Sequence, residues 1–164
     1  MIAHAALPLA VALVVVSPSP SPAPALSPSP MPILAGVTLD ENAAGVLLRV
    51  GVHARGGSSG SGLDVAVWPA QVQDIVIGIA YDQKVRVILV RGSSDPHGRC
   101  ADPYGIRIAD ALEHLVAVRG HPDDVRDVDA GGDESIRYGP EKGVHWTFVV
   151  FGDKVGEIVL SDGT

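Results

Sequence analysis

Apolar positions recur along this chain with helical spacing in two places and with strand-like spacing in six. Ile108, Leu112, Leu115 and Val116 fall at helical intervals, Asp110 lies in the first turn, and Gly120 with Pro122 supplies a stop, which predicts a helix over about 108–119. Ala43, Val46, Leu47 and Val50 repeat that spacing after Asp40, a candidate N-cap, although Gly45 weakens a helix and VLLRVGV also suits a strand. Strand-like runs follow each segment, near 63–68, 73–81 and 85–90, then near 133–138, 144–151 and 155–160. Asp82-Gln83-Lys84 and Gly152-Asp153-Lys154 are short enough to close the last two runs of each set into hairpins.

Alternation within the hairpins assigns faces. Ile75, Ile77 and Ile79 share a side with Val87 and Leu89 in the first, and Trp146, Phe148 and Val150 join Ile158 and Leu160 in the second. The buried parity therefore switches between the two, which requires either a β-bulge in one register or a sheet face with apolar side chains open to a partner.

The chain also matches itself. Gly36-Val37-Thr38-Leu39 faces Gly105-Ile106-Arg107-Ile108 at an offset of 69, as Gly51 faces Gly120; at an offset of 70, Trp68 faces Tyr138, Tyr81 faces Phe151, and Lys84-Val85 faces Lys154-Val155. The expected fold class is α+β: two tandem repeats, each a helix followed by a three-stranded antiparallel meander. The expected organisation is a signal peptide at 1–25, a proline-rich spacer at 26–35, repeat 1 at 36–92, a linker at 93–104 and repeat 2 at 105–164.

The N-terminal segment has a different composition. The apolar run Ala5–Val16, interrupted by Pro8, is too short to cross a bilayer core of about 20 helical residues and has the length of a signal-peptide core, with Ala23 and Ala25 at the −3 and −1 positions of a cleavage site. Its n-region carries His4 but no Lys or Arg. Seven prolines between Ser17 and Pro32 favour an extended arm. The 12 basic and 19 acidic residues begin only at Asp40 and leave a net charge of −7, which disfavours nucleic acid as a partner. Cys100 is the single cysteine, so no intramolecular disulfide can form.

The G-[VI]-x-[IL] entry at Gly36 and Gly105, a helix closing on Gly51 or Gly120-x-Pro122, and a terminal hairpin with an apolar last strand together resemble the SmpA/OmlA family of small envelope-assembly lipoproteins. The tandem arrangement is similar to the β-lactamase inhibitor protein architecture. The resemblance implies a non-catalytic role in gripping another protein with the sheet as contact surface. It does not extend to the lipoprotein cysteine or to the inhibitor's disulfides.

Candidate chemistry is sparse. Asp95, His97, Cys100 and Asp102 include zinc-ligand types in one connecting segment, but match no standard ligand spacing. Asp127, Asp129, Gly132 and Asp133 echo the start of a calcium loop, with Tyr138 where the last glutamate belongs. Gly56 to Gly62 lacks the Lys and Ser/Thr of a phosphate-binding loop and reads as a flexible connection. The expectation is an exported, monomeric, non-enzymatic interaction domain of the cell envelope or extracellular space, without a cofactor or metal, that binds another protein. Trp68, Tyr138, His145 and Phe151 are the first contact candidates, because large aromatics anchor interfaces. The alternative is a metal-binding protein or metal-dependent hydrolase built on the His97/Cys100 segment or the Asp127 loop.

Overall fold

A computed structural model describes residues 32–51, 54–58, 62–72, 75–95, 98–129 and 131–163. The leader, the spacer as far as residue 31, and His97 lie outside these residues. Two short strands, β1 (Ile33–Leu34) and β2 (Val37–Thr38), pair with each other and lead into α1 (Ala43–Val50). Strands β3 (Ala54–Ser58), β4 (Asp64–Val72), β5 (Ile75–Tyr81) and β6 (Val85–Gly92) follow. After the connection come α2 (Leu112–Arg119), β7 (Asp124–Asp127), β8 (Glu134–Glu141), β9 (Val144–Phe151) and β10 (Lys154–Ser161).

All eight long strands belong to one antiparallel sheet in the order β3-β4-β5-β6-β10-β9-β8-β7. The expected α+β class with two helix-plus-three-stranded-meander repeats is therefore overturned: the fold is mostly β. Besides the short β1–β2 pair, the strands missed in sequence are β3 and β7, at the two edges of the large sheet. Both carry residues without alternation, ARGGS and DVRD, and edge strands hold their place through backbone hydrogen bonds along one side only. Part of the segment read as a flexible connection, Gly56–Ser58, is thus in a strand.

The helices are placed by hairpin turns. Ala43 N donates to Gln83 O at 3.1 Å and Leu112 N to Asp153 O at 2.8 Å, so each β-turn accepts from an otherwise orphaned N–H at a helix start. Asn42, not Asp40, caps α1, accepting from Gly45 N at 3.2 Å through Oδ1. Residues 108–111, expected as the first turn of α2, instead bond to β10: Ala109 N donates to Val155 O and Val155 N to Asp110 O. At the other ends, Gly51 O accepts from Trp68 Nε1 and Gly120 O from the Tyr138 hydroxyl, each at 3.3 Å, which ties both helices to the same sheet face.

That face is the core. Trp68, Ile79, Ile88, Ile158, Leu160, Trp146 and Phe148 are all buried along it. The parity switch has a structural answer. Ala80 pairs with Val87 but Tyr81 with Val85, which leaves Arg86 as an extra residue; in the second hairpin Val155 pairs with Val150 and Glu157 with Val149, which leaves Gly156 extra. Both hairpins carry a bulge at matching places, and they differ by one residue in the turn, 82–84 in the first against 152–153 in the second. The bulge at Arg86 turns Ile88 and Val90 inward and Val87 and Leu89 outward, opposite to the sequence expectation for that strand.

Candidate functional site

The two sheet faces differ in what covers them. The helices, Leu34 and Val37 close over the inner face. On the outer face, Val65, Val67, Ala80, Val87 and Leu89 of β4–β6 and Val149 and Val159 of β9–β10 are each partly exposed, and the Arg91–Glu157 ion pair, 2.7 Å, lies beside Val149. Gly78 lies among the apolar residues beneath Leu89: a Cβ there would sit 3.9 Å from the leucine side chain. Apolar character on this side ends at β8. Arg137 and Ser135 of β8, Thr147 of β9, Ser161 of β10, and Asp124 and Arg126 of β7 replace it, around a hollow of about 300 Å³ that His145 of β9 adjoins through Arg137. Within the hollow Arg126 Nε pairs with Asp124 Oδ2 at 2.7 Å, and Arg137 Nε donates to His145 Nδ1 at 3.2 Å.

A second hollow, about 230 Å³, lies where the connection passes the end of α2. Arg119 is its floor, with a side chain only 4% exposed. Its Nη1 lies 3.5 Å from Asp102 Oδ2 and 3.8 Å from Glu141 Oε2, close enough for charge but without a directed hydrogen bond. The guanidinium carbon stands 4.2 Å from the ring centre of Tyr104 and 5.0 Å from that of Tyr138. The Tyr104 hydroxyl donates to Glu141 Oε1 at 2.7 Å, and this bond, then burial, holds its proton on more tightly than usual. Burial pushes Asp102 above the ordinary carboxylate range despite Arg119. The ion pairs and rings that line this hollow fasten the connection to the second half of the sheet.

The four contact candidates separate. Trp68 is wholly buried and Tyr138 is 5% exposed, so neither faces a partner. His145 does lie on the outer face, and Phe151, at its end, is 41% exposed. Its ring covers Gly156, where an added Cβ would overlap it. Val87 and Leu89 were expected on the buried side, and Ser135 and Arg137 were not singled out in sequence. Their signal was present in Glu134-Ser135-Ile136-Arg137-Tyr138, whose alternation puts Ser135 and Arg137 outward once Tyr138 is placed inside.

Three of the candidate carboxylates are spent on turns. Asp95 accepts from Arg99 N and Cys100 N, Asp102 from Tyr104 N and Ile106 N, and Asp129 from Gly131 N. Cys100 is 2% exposed, and burial, then the nearby Asp95, pushes its thiol up to about 11, which leaves it unsuited to act as a thiolate at neutral pH. Among the described residues no three His, Cys, Asp or Glu side chains converge as a metal site, and no helix is long and apolar enough to cross a membrane.

The class defined by these features is a mostly β domain whose eight-stranded antiparallel sheet has one covered and one uncovered face. No family model and no curated protein matches the sequence. Among solved structures, the fold is similar to that of a DUF4309 family protein, YjgB, from Bacillus subtilis subsp. subtilis str. 168, with a TM-score of 0.51, 15% identity, and 73% of this chain and 77% of that chain covered. Likeness at this identity concerns the fold alone. It replaces the resemblance to SmpA/OmlA and to the β-lactamase inhibitor protein, whose tandem α+β arrangement the eight-stranded sheet does not have.

Proposed function

We propose that this protein is an exported, non-catalytic module that binds another protein through the outer face of its sheet. The observation that carries this reading is the division of that face into an apolar half around Val87 and Leu89 and a polar half around Arg137 and His145. Recognition surfaces combine a desolvated apolar patch with a border of groups able to pair. A sheet face this open does not enclose a small substrate, and ligand pockets bury most of their ligand. The leader and the proline-rich arm support a site of action outside the cytoplasm.

The test is affinity capture of the tagged full chain from its native host, compared with the Val149→Lys/Val159→Lys variant after matched melting curves have established that both fold. The reading expects a discrete protein that co-purifies with the native chain and is lost with the variant. Recovery of the same proteins by both would overturn it.

A further inference from the structure

Among the described residues, Arg49, Arg86, Arg91, Arg107, Arg119 and Arg126 each have a carboxylate within salt-bridge distance. Arg137 and Arg99 have none, and of these two Arg99 is exposed whereas Arg137 is partly buried in the polar half of the outer face. Its Nε is used by His145 Nδ1, which leaves both terminal nitrogens without a carboxylate. Asp124 lies directly across on β7, yet its carboxylate goes to Arg126. In an acidic chain, a half-buried guanidinium that its own carboxylates pass over is set out for an external one.

We propose that Arg137, with the neighbouring Ser135 and Thr147, receives a carboxylate side chain of the partner protein, while adjoining apolar side chains of that partner cover Val149 and Val159. This rests on the outer face being the binding surface. A guanidinium fork donates two parallel hydrogen bonds to a carboxylate, and the hydroxyls can donate to the remaining lone pairs. Two features favour a protein carboxylate over a free anion. The hollow is open and continuous with the apolar valines, so an occupant tethered to an apolar segment is held where a free small acid stays in water. Asp124 also stands within it, and its charge opposes a phosphate dianion more than a single carboxylate.

The test is a nuclear magnetic resonance titration of the isotope-labelled full chain with the peptide acetyl-Val-Glu-Val-amide, beside acetyl-Val-Gln-Val-amide and inorganic phosphate. The expected result is saturable shifts in the low-millimolar range at residues 135–137, 147 and 149, at least fivefold weaker binding of the glutamine peptide, and weaker binding of phosphate. Arg137→Gln should abolish the response to the glutamate peptide, Arg137→Lys should weaken it, and Arg107→Gln, at a paired arginine away from the hollow, should leave it unchanged. Equal binding of the two peptides, tighter binding of phosphate, no saturable shifts, or an undiminished response in both Arg137 variants would overturn the proposal. Loss of the captured protein on the lysine substitutions at Val149 and Val159, together with no peptide response, would reject this inference and leave the binding-module reading standing.

Discussion

Replacing Arg119 by Met removes a buried charge while keeping a long side chain in place. Arg119 is 4% exposed and the carboxylate of Asp102 is fully buried, with 3.5 Å between Nη1 and Oδ2. Asp102 cannot turn toward water, because its Oδ1 accepts from Tyr104 N at 2.9 Å and Ile106 N at 2.8 Å. Breaking a buried pair on one side costs about 3–5 kcal/mol, within which the cation–ring contacts with Tyr104 and Tyr138 account for about 1–2. The loss should also depend on pH. Burial raises Asp102, so the folded chain holds that proton more tightly than the unfolded chain does; this contribution is full in acid and is lost as pH rises through the folded value. Without Arg119 the rise is larger, so Arg119→Met should lose more stability at pH 8 than at pH 5. Adding Asp102→Asn keeps an oxygen for the backbone N–H groups and removes the orphaned charge, which should restore about 2 kcal/mol. Urea unfolding followed by the fluorescence of Trp68 and Trp146, both buried, reads all three outcomes. A loss below about 1 kcal/mol, the same loss at both pH values, or additive effects in the double variant would refute the reasoning.

Other outcomes follow from the same geometry. Cys100 should react with a disulfide reagent at pH 8 only as fast as the protein opens, and at once in denaturant; fast reaction of the folded chain would contradict its burial and raised thiol. Gly139→Ala should cost about 3 kcal/mol or more, because its φ is +116° and a Cβ would lie 2.7 Å from Val144 O, whereas Gly143→Ala, at φ +81° in open space, should cost about 1–2 in thermal or urea unfolding. Burial raises Tyr138, so its contribution to stability is full below about pH 10 and lost as pH rises above that; Tyr138→Phe should give up about 1 kcal/mol at neutral pH and flatten the alkaline decline seen in melting temperature.

Much of the sheet was legible. The six inner strands carry Val, Ile and aromatic residues in alternation, and their bounds fall within a few residues of those expected. The two hairpin turns and the glycines after each helix were equally plain. What sequence could not supply was the number of sheets, since pairing β6 with β10 joins residues such as Val90 and Ile158 with no local signal between them. The edge strands were hidden because backbone pairing needs no particular side chain, as Arg55-Gly56-Gly57 in β3 illustrates. Of the contact candidates, His145 lies on the outer face as its alternation implied, whereas Trp68 and Tyr138 were chosen for size when their size is what fills the core. A one-residue bulge at Arg86 moved Val87 and Leu89 from the expected core to the outer face, since a slip of one residue reverses every side chain beyond it.

The most direct test of the binding-face account places a photo-crosslinking amino acid at Val87 or Val159 on the outer face, and separately at Leu48, which is 86% exposed on α1. Irradiation in the native host should give one discrete heteromeric adduct from positions 87 and 159 and none from 48. Adducts from position 48 alone, or none from either outer-face position, would contradict the account.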